Sequence, residues 1–366
     1  MLLAQSQINA IKSLEEKNFF KLVCGASLND LLLIENLSFL FTLAGADVID
    51  LAARADVILS CRRGINKAKN QEPKTKSPLI MASIQLDKDP HFRKVEVNYD
   101  KCDLCGVCVN VCPTEAFAIG TRDQGPGTSD PKYMAVSVRD SGPMSYVPSP
   151  KFVYKPERCF GCDACPPACH VSALSMAEME FNPSVTITEM IDLEVDAIEF
   201  HFGKNYEGIK TLWDDNNIRD KLSRLSLISF SIGSELLSEE EIKKAGNLCF
   251  KLAGAGIILQ CDGKPMSGGF KRFGNNMDNS TIKVAEILQK EKLPVFLQLS
   301  GGTDEKTYIK ARNAGLDING VALGSYARKL LMPYLSIQHL ESDMNNFNLA
   351  LNIAQSLVSS VKGSRI

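Results

Sequence analysis

The chain spells one cysteine pattern twice, as Cys102-x-x-Cys105-x-x-Cys108-x-x-x-Cys112-Pro113 and again as Cys159-x-x-Cys162-x-x-Cys165-x-x-x-Cys169. Three thiolates on one tight loop can face three corners of a small iron–sulfur cube, and the fourth ligand must then come from elsewhere. In bacterial-type ferredoxins with two [4Fe–4S] clusters, the fourth cysteine of each run ligates the other cluster. That rule pairs Cys102, Cys105 and Cys108 with Cys169, and Cys159, Cys162 and Cys165 with Cys112, tying both halves into one small domain. Structural zinc needs only two Cys-x-x-Cys pairs and leaves the remaining cysteines and Pro113 without a use. Of 12 cysteines in 366 residues, eight fall in the runs. That usage describes metal-bound thiolates in a reducing compartment rather than a disulfide framework. The second run carries Pro166 and Pro167 in its spacer and His170 where the first has Pro113. Each proline removes an amide that could donate to sulfur, so the two clusters are expected to differ in potential.

Outside the runs, short apolar segments alternate with longer ones of helical periodicity. The expected strands are Phe20–Cys24, Val48–Ala52, Leu79–Ile84, Ala197–Phe202, Leu227–Ile232, Gly256–Cys261, Val295–Leu299 and Gly320–Leu323. Expected helices include Asn29–Leu43, Ala55–Lys69, Glu239–Leu252, Ile282–Gln289, Glu305–Asn313 and a final Asn346–Lys362. This alternation predicts parallel βα units and an α/β fold, a (β/α)₈ TIM-like barrel. The interval between the third and fourth strands holds every motif cysteine. An inserted two-cluster ferredoxin domain of α+β type is therefore expected after the third strand. The boundaries expected are 1–85 and 181–366 for the two parts of the barrel and 86–180 for the insertion. A segment leaving the C-terminal end of a barrel strand emerges on the face where barrel active sites lie. Each half of the insertion repeats a β lead-in, a cysteine loop and a short tail. The Gly/Pro/Ser-rich stretch 122–150 between them reads as a docking loop or a tolerated surface excursion.

Two loops resemble a phosphate grip, Ser300-Gly301-Gly302-Thr303 after the seventh strand and Gly324-Ser325-Tyr326-Ala327-Arg328 after the eighth. Barrels frequently bind phosphate there, where glycines let amides approach an anion and a helix end adds positive charge. Glycine-rich turns with a serine helix cap and nothing bound fit the same residues. Cys24, His201, Cys261, Asp262, Lys264 and Gln298 fall at or near strand ends, as catalytic groups do. Of these, Cys261, Lys264 and His201 are the catalytic candidates, although His201 alternates with aromatics as a core histidine would. Cys61 and Cys249 read as packing residues, and the basic, amide-rich loop around Lys271 and Arg272 as a solvated surface or a lid.

A net charge of −2, with 45% hydrophobic and 23% charged residues, carries no basic stripe of the nucleic-acid-binding kind. The longest apolar stretch, Leu31 to Ala46, is interrupted by Glu35 and Asn36 and is too short to span a bilayer. The expectation is a cytoplasmic protein.

The double cysteine run, the barrel halves, and the segments Val23-Cys24-Gly25-Ala26-Ser27, Lys101 to Cys108, Phe160 to Cys169 and Ser300 to Thr303 together resemble the light-dependent period family of cyanobacterial iron–sulfur proteins. That resemblance implies a cytoplasmic redox sensor. It would report photosynthetic electron flow to the circadian clock, with the eight motif cysteines as cluster ligands. Clock-input and clock proteins are the implied partners, together with redox partners of the photosynthetic electron chain. Two alternatives stay open from the residues themselves. One is an iron–sulfur oxidoreductase using FMN or another phosphate-bearing ligand at Gly301, Gly302, Gly324 and Ser325; the other is a plain electron carrier.

Overall fold

The computed structural model describes residues 5–120, 151–263 and 280–363. Eight parallel strands close into a barrel: β1 (Phe19–Gly25), β2 (Val48–Ala52), β3 (Leu79–Gln85), β8 (Ala197–His201), β9 (Leu227–Gly233), β10 (Ile258–Asp262), β11 (Phe296–Ser300) and β12 (Gly320–Leu323). They are neighbours in that order around the wall, and β12 closes on β1 with Phe19 opposite Gly320. A Cβ at Gly320 would meet the Phe19 carbonyl oxygen at 2.2 Å, so the seam admits only glycine. Every expected strand is present, with ends moved by at most two residues. At β10 the strand starts at Ile258 rather than Gly256, because Gly254 and Gly256 adopt positive φ and shape the turn before it.

Strand alternation sorts the side chains into two regions. Phe20, Leu22, Ile49, Leu51, Ile80, Ile198, Phe200 and Phe230 point outward into the main apolar core with the helices. Inside, the N-terminal end of the barrel is filled by Phe19, Val48, Leu79, Met81, Ala197, Leu227 and Ile258. Ala10 and Leu14 of the helix Gln5–Glu15 plug it from below. That plug helix was not expected from the sequence. The next interior level is polar: Lys21, Asp50, Ser83, Glu199, Ser229, Gln260 and Gln298 are all buried. Barrels usually fill such a level with Val, Ile and Leu.

The helix Leu31–Ala44 is held at both ends, by Asp30 accepting from the Leu32 and Leu33 amides and by Gly45 in the left-handed region. The helix Ala55–Gln71 packs against it through Gly64, where a Cβ would meet the Glu35 carbonyl oxygen at 2.3 Å. Beyond the barrel the chain ends in the helix Met344–Lys362, which packs on Leu31–Ala44 through Phe347 stacked on Phe39.

Between β3 and β8 lie two small antiparallel sheets. The strand β4 (Arg93–Val97) pairs with β7 (Leu174–Glu178), and β5 (Phe117–Gly120) with β6 (Lys151–Tyr154). The first strand of one half thus pairs with the last strand of the other. Val95, Ala116, Phe117 and Leu174 form a separate small core around Cys159 and Cys165. Polar contacts fasten this unit to the loop after β1. Arg158 Nε lies 2.9 Å from Asp30 Oδ2, Lys94 Nζ donates to Asn29 Oδ1 at 2.6 Å, and the Asn29 amide donates to the Glu157 carbonyl at 3.0 Å. Phe160, beside Cys159, is buried in the barrel's own core. The excursion 122–150 lies outside the described residues.

Candidate functional site

The two cysteine loops have the same backbone. Leu104 and Gly106, on either side of Cys105, have positive φ, and so do Gly161 and Asp163 on either side of Cys162. Glu115 and Ser172, each three residues after the fourth cysteine of its run, repeat the match. Such residues turn the chain sharply enough to carry cysteines two apart onto one concave face. The fourth thiols match as well: the Ala116 amide donates to Cys112 Sγ and the Ala173 amide to Cys169 Sγ, each at 3.2 Å. The loops differ after the third cysteine. Val107–Val111 forms a short α-helix, whereas Pro166 and Pro167 restrict the second loop to a 3₁₀ turn, Pro166–Ala168.

All eight thiols are free. Burial pushes the Cys108 thiol up to about 11, and it feels the charges of Cys102 and Cys105 from its own loop. Burial likewise pushes Cys162 up to about 12 and Cys165 further, and both feel Cys112 together with Cys159. The Cys112 charge thus reaches across to Cys162 and Cys165 of the second loop. On the other side, His170 Nε2 sits 2.8 Å from Asp103 Oδ2, which brings the residue after Cys169 to the first loop. Eight thiols that are unpaired, grouped by loop and supplied with amide donors suit iron–sulfur ligation.

Below the loops, the barrel mouth is lined by parts of both units. The turn Pro90–Phe92, capped by the Asp89 carboxylate, carries His91 across the opening. His91 Nδ1 lies 2.6 Å from Asp89 Oδ1, and its Nε2 3.7 Å from Asp262 Oδ2. Burial acts most strongly, to lower the His91 pKa, but the charge and hydrogen bond of Asp89 with the charges of Asp262 and Glu199 together outweigh it and lift the imidazole to about 9. His201 is buried, with Nε2 3.2 Å from Glu199 Oε1, while its Nδ1 has no hydrogen-bond partner. Asp89, His91 and His201 stand close enough together to share one ligand.

Glu199 is the hub of the polar level. It forms an ion pair with Lys21 and accepts from Ser229 Oγ at 2.9 Å and Gln260 Nε2 at 2.7 Å. Lys21 Nζ is also 3.6 Å from Asp50, whose carboxylate accepts from Ser83. Burial raises both carboxylates. Lys21, with His201, overrides it at Glu199, which stays low, whereas Asp50 beside the Glu199 charge remains raised.

Gly301, Gly302, Gly324 and Ser325 meet around one cavity, together with Phe160, His91 and Arg328. Arg328 is 3% exposed; its guanidinium lies over the Phe160 ring at 4.5 Å and donates to the Val23 carbonyl at 2.6 Å. Cys261 belongs to the apolar layer between barrel and helices, where burial raises its thiol. Its neighbour Asp262 faces the mouth instead, as alternation along β10 requires. Lys264 and the Lys271–Arg272 loop lie outside the described residues. Cys61 and Cys249 are fully buried helix residues. The sequence reading missed Lys21, Asp50, Asp89, His91 and Glu199. The signal for three of them was a charge flanked by apolar residues in a strand expected to be buried, as in Phe20-Lys21-Leu22, Ile49-Asp50-Leu51 and Ile198-Glu199-Phe200.

Residues 101–173 match the family described as 4Fe-4S dicluster domain, and residues 189–362 the Light dependent period A C-terminal domain. Fold and site together define an iron–sulfur protein built on a (β/α)₈ barrel with a ferredoxin-like insertion. More particularly, the chain is similar to Light dependent period A. It is 27% identical to that protein from Synechococcus elongatus over 370 residues, covering 96% of this chain and 93% of the relative. Among solved structures, the tryptophan synthase alpha subunit of Legionella pneumophila aligns at 8% identity and a TM-score of 0.46, covering 99% of this chain and all of that one. The YdjI aldolase of Escherichia coli K12 aligns at 8% and 0.44, covering 99% and 96%. Likeness that distant carries no argument. Among the described residues, no helix is long and apolar enough to cross a membrane.

Proposed function

We propose that the chain is a redox sensor. In this reading it holds two [4Fe–4S] clusters, one on Cys102, Cys105, Cys108 and Cys169 and one on Cys159, Cys162, Cys165 and Cys112, and passes their state to light-dependent clock input. What supports the exchange of fourth ligands is that the Cys112 charge reaches Cys162 and Cys165 and that His170 Nε2, next to Cys169, lies 2.8 Å from Asp103 of the first loop. Bound clusters supply one-electron redox chemistry. The chain's own part is to fix the thiolates, to donate Ala116 and Ala173 amides to sulfur, and to seat Phe160 in the barrel so that the loops do not move independently of it. A change of charge on a partly buried centre alters the field at a nearby surface, which is how a partner can read it. The relative's name, Light dependent period A, supports clock-input and clock proteins as the readers. Electron donors from the photosynthetic chain and a cytoplasmic location belong to the same proposal.

The test is anaerobic iron and acid-labile sulfide analysis of the wild type and of Cys112→Ser. The wild type should hold eight irons. The variant should lose the cluster of Cys159, Cys162 and Cys165 and keep the other, near half the iron. Loss of the Cys102 cluster alone would contradict the exchange of ligands, and two zincs without sulfide would end the cluster reading. Partner capture should then differ between oxidised and reduced protein; equal capture would contradict sensing.

A further inference from the structure

We propose that the barrel mouth binds a phosphate-type oxyanion carried by a phosphomonoester, with Arg328 as its charge partner. Among the described residues the Arg328 guanidinium has no carboxylate partner. One nitrogen bonds the Val23 carbonyl, and Nε has no acceptor although it is buried. A charge removed from water in this way is stabilised by an anion or is costly. The cavity it lines, of about 50 Å³, is also lined by His91, Ser300, Gly301, Gly302, Gly324 and Ser325, with Phe160 and Val23 as its apolar wall. Gly301 and Gly302 are consecutive left-handed residues. A Cβ at Gly301 would meet Asp262 Oδ1 at 1.9 Å, so the loop keeps its backbone bare and close. The 11-residue helix Ser325–Leu335 opens on the same cavity, and its N-cap, Gly324, offers no side chain to occupy the first amides. Asp262 is the acid nearest the glycine loop, and burial pushes its carboxyl up toward the neutral form. On the same measure one water needs about 10–15 Å³, so the cavity has room for several waters and accommodates a tetrahedral anion.

Arg328 is near enough to Cys24 and Cys162 for their charges to be felt at its guanidinium. Resting on the cluster reading above, added negative charge at that cluster competes with the anion for one guanidinium. By linkage, anion binding then weakens on reduction, and bound anion in turn makes the cluster harder to reduce.

The experiment is anaerobic calorimetry of the full chain with inorganic phosphate, and with FMN and riboflavin as arms differing only in the phosphate. Phosphate and FMN should bind competitively while riboflavin does not, and mass spectrometry of the denatured supernatant identifies any co-purifying phosphomonoester. Arg328→Met should lower phosphate affinity at least tenfold. Ser325→Glu, at a half-buried position that tolerates a side chain, should do the same with melting temperature and iron content unchanged, which covers a failure of the first variant to fold. No phosphate binding at 10 mM, or wild-type affinity in Ser325→Glu, overturns the site. Iron and sulfide analysis of the same samples keeps the readings apart: clusters without phosphate binding count against this site alone, and phosphate binding without clusters against the sensor alone.

Discussion

Lys21→Met removes the ammonium held between two buried carboxylates. Lys21, Asp50 and Glu199 are each 1% exposed or less, so water cannot replace the lost ammonium. Breaking a buried pair from one side costs about 3–5 kcal/mol, because the partner is left charged and uncompensated. For a barrel of this size each kcal/mol moves the melting temperature by about 2–4 °C, so a shift near 10 °C is expected. The sign with pH follows from the carboxylates. In the wild type Lys21 keeps Glu199 low, and the stability this gives is lost only as pH falls through its depressed value. In the variant burial is opposed only by His201 and the neighbouring hydrogen bonds, so it prevails and both carboxyls rise above their unfolded values. Groups of that kind favour the fold at low pH and cease to do so as pH rises through the raised folded value. The deficit should therefore be largest near pH 8 and shrink toward pH 5. Lys21→Met/Glu199→Gln should cost less than Lys21→Met alone, since the hub charge has gone and Ser229 and Gln260 can still bond the amide. Anaerobic urea unfolding followed by circular dichroism at both pH values measures all of this. A cost below about 1 kcal/mol, a deficit independent of pH, or a double variant as damaged as the sum of the singles would refute the reasoning.

Other consequences are simpler to state. Gly64→Ala should cost about 3 kcal/mol by forcing apart the helices Leu31–Ala44 and Ala55–Gln71, whereas Gly45→Ala, where φ is 87° but nothing lies within 4 Å of the new Cβ, should cost about 1 kcal/mol; urea midpoints compare them. His91, raised to about 9 despite burial, stabilises the fold fully below its unfolded pKa of about 6.5, and that contribution is lost as pH rises through 9. Melting temperature should fall across this window in the wild type and stay flatter in His91→Gln.

The strands were legible because each is a short apolar run bounded by a turn, and the ligand loops because cluster geometry fixes their spacing. The expected helices were legible from their apolar stripe. Gln5–Glu15 was not, since only Ala10 and Leu14 are fully buried in it and nothing in its own sequence says that a barrel end needs sealing. The mouth was half visible. Glycines at 301, 302 and 324 follow strands seven and eight by rule, but the rule names no counter-charge. Arg328 reaches the cavity only because the first turn of its helix sits beneath Gly324, and it is stripped of water only because Phe160 arrives from the insertion. Asp89 and His91 carry no pattern of their own within the expected insertion. They became mouth residues when β3 paired with β8 and drew the start of the insertion over the opening, with Gln85 opposite His201.

The same geometry bears on whether the barrel stands alone. Excising 86–180 and joining the ends would uncover Phe160's seat in the main core and remove Phe92, which is 1% exposed and packs edge-on to His201. Two phenylalanines burying at least about 150 Å² each represent roughly 4 kcal/mol apiece at about 25 cal/mol per Å², an upper estimate. Electrostatics adds to the loss, because His91 is one of the charges opposite Asp262 and Glu199. An excised barrel should therefore be several kcal/mol less stable than the whole chain and should recover part of the difference at acid pH, where Asp262 needs no counter-charge. A barrel that unfolds at the same urea midpoint as the whole chain would mean that the insertion merely sits on the mouth. A weakened, acid-rescued barrel would mean that the cluster unit completes it, which is the arrangement through which a charge arriving at the clusters can be felt inside the barrel.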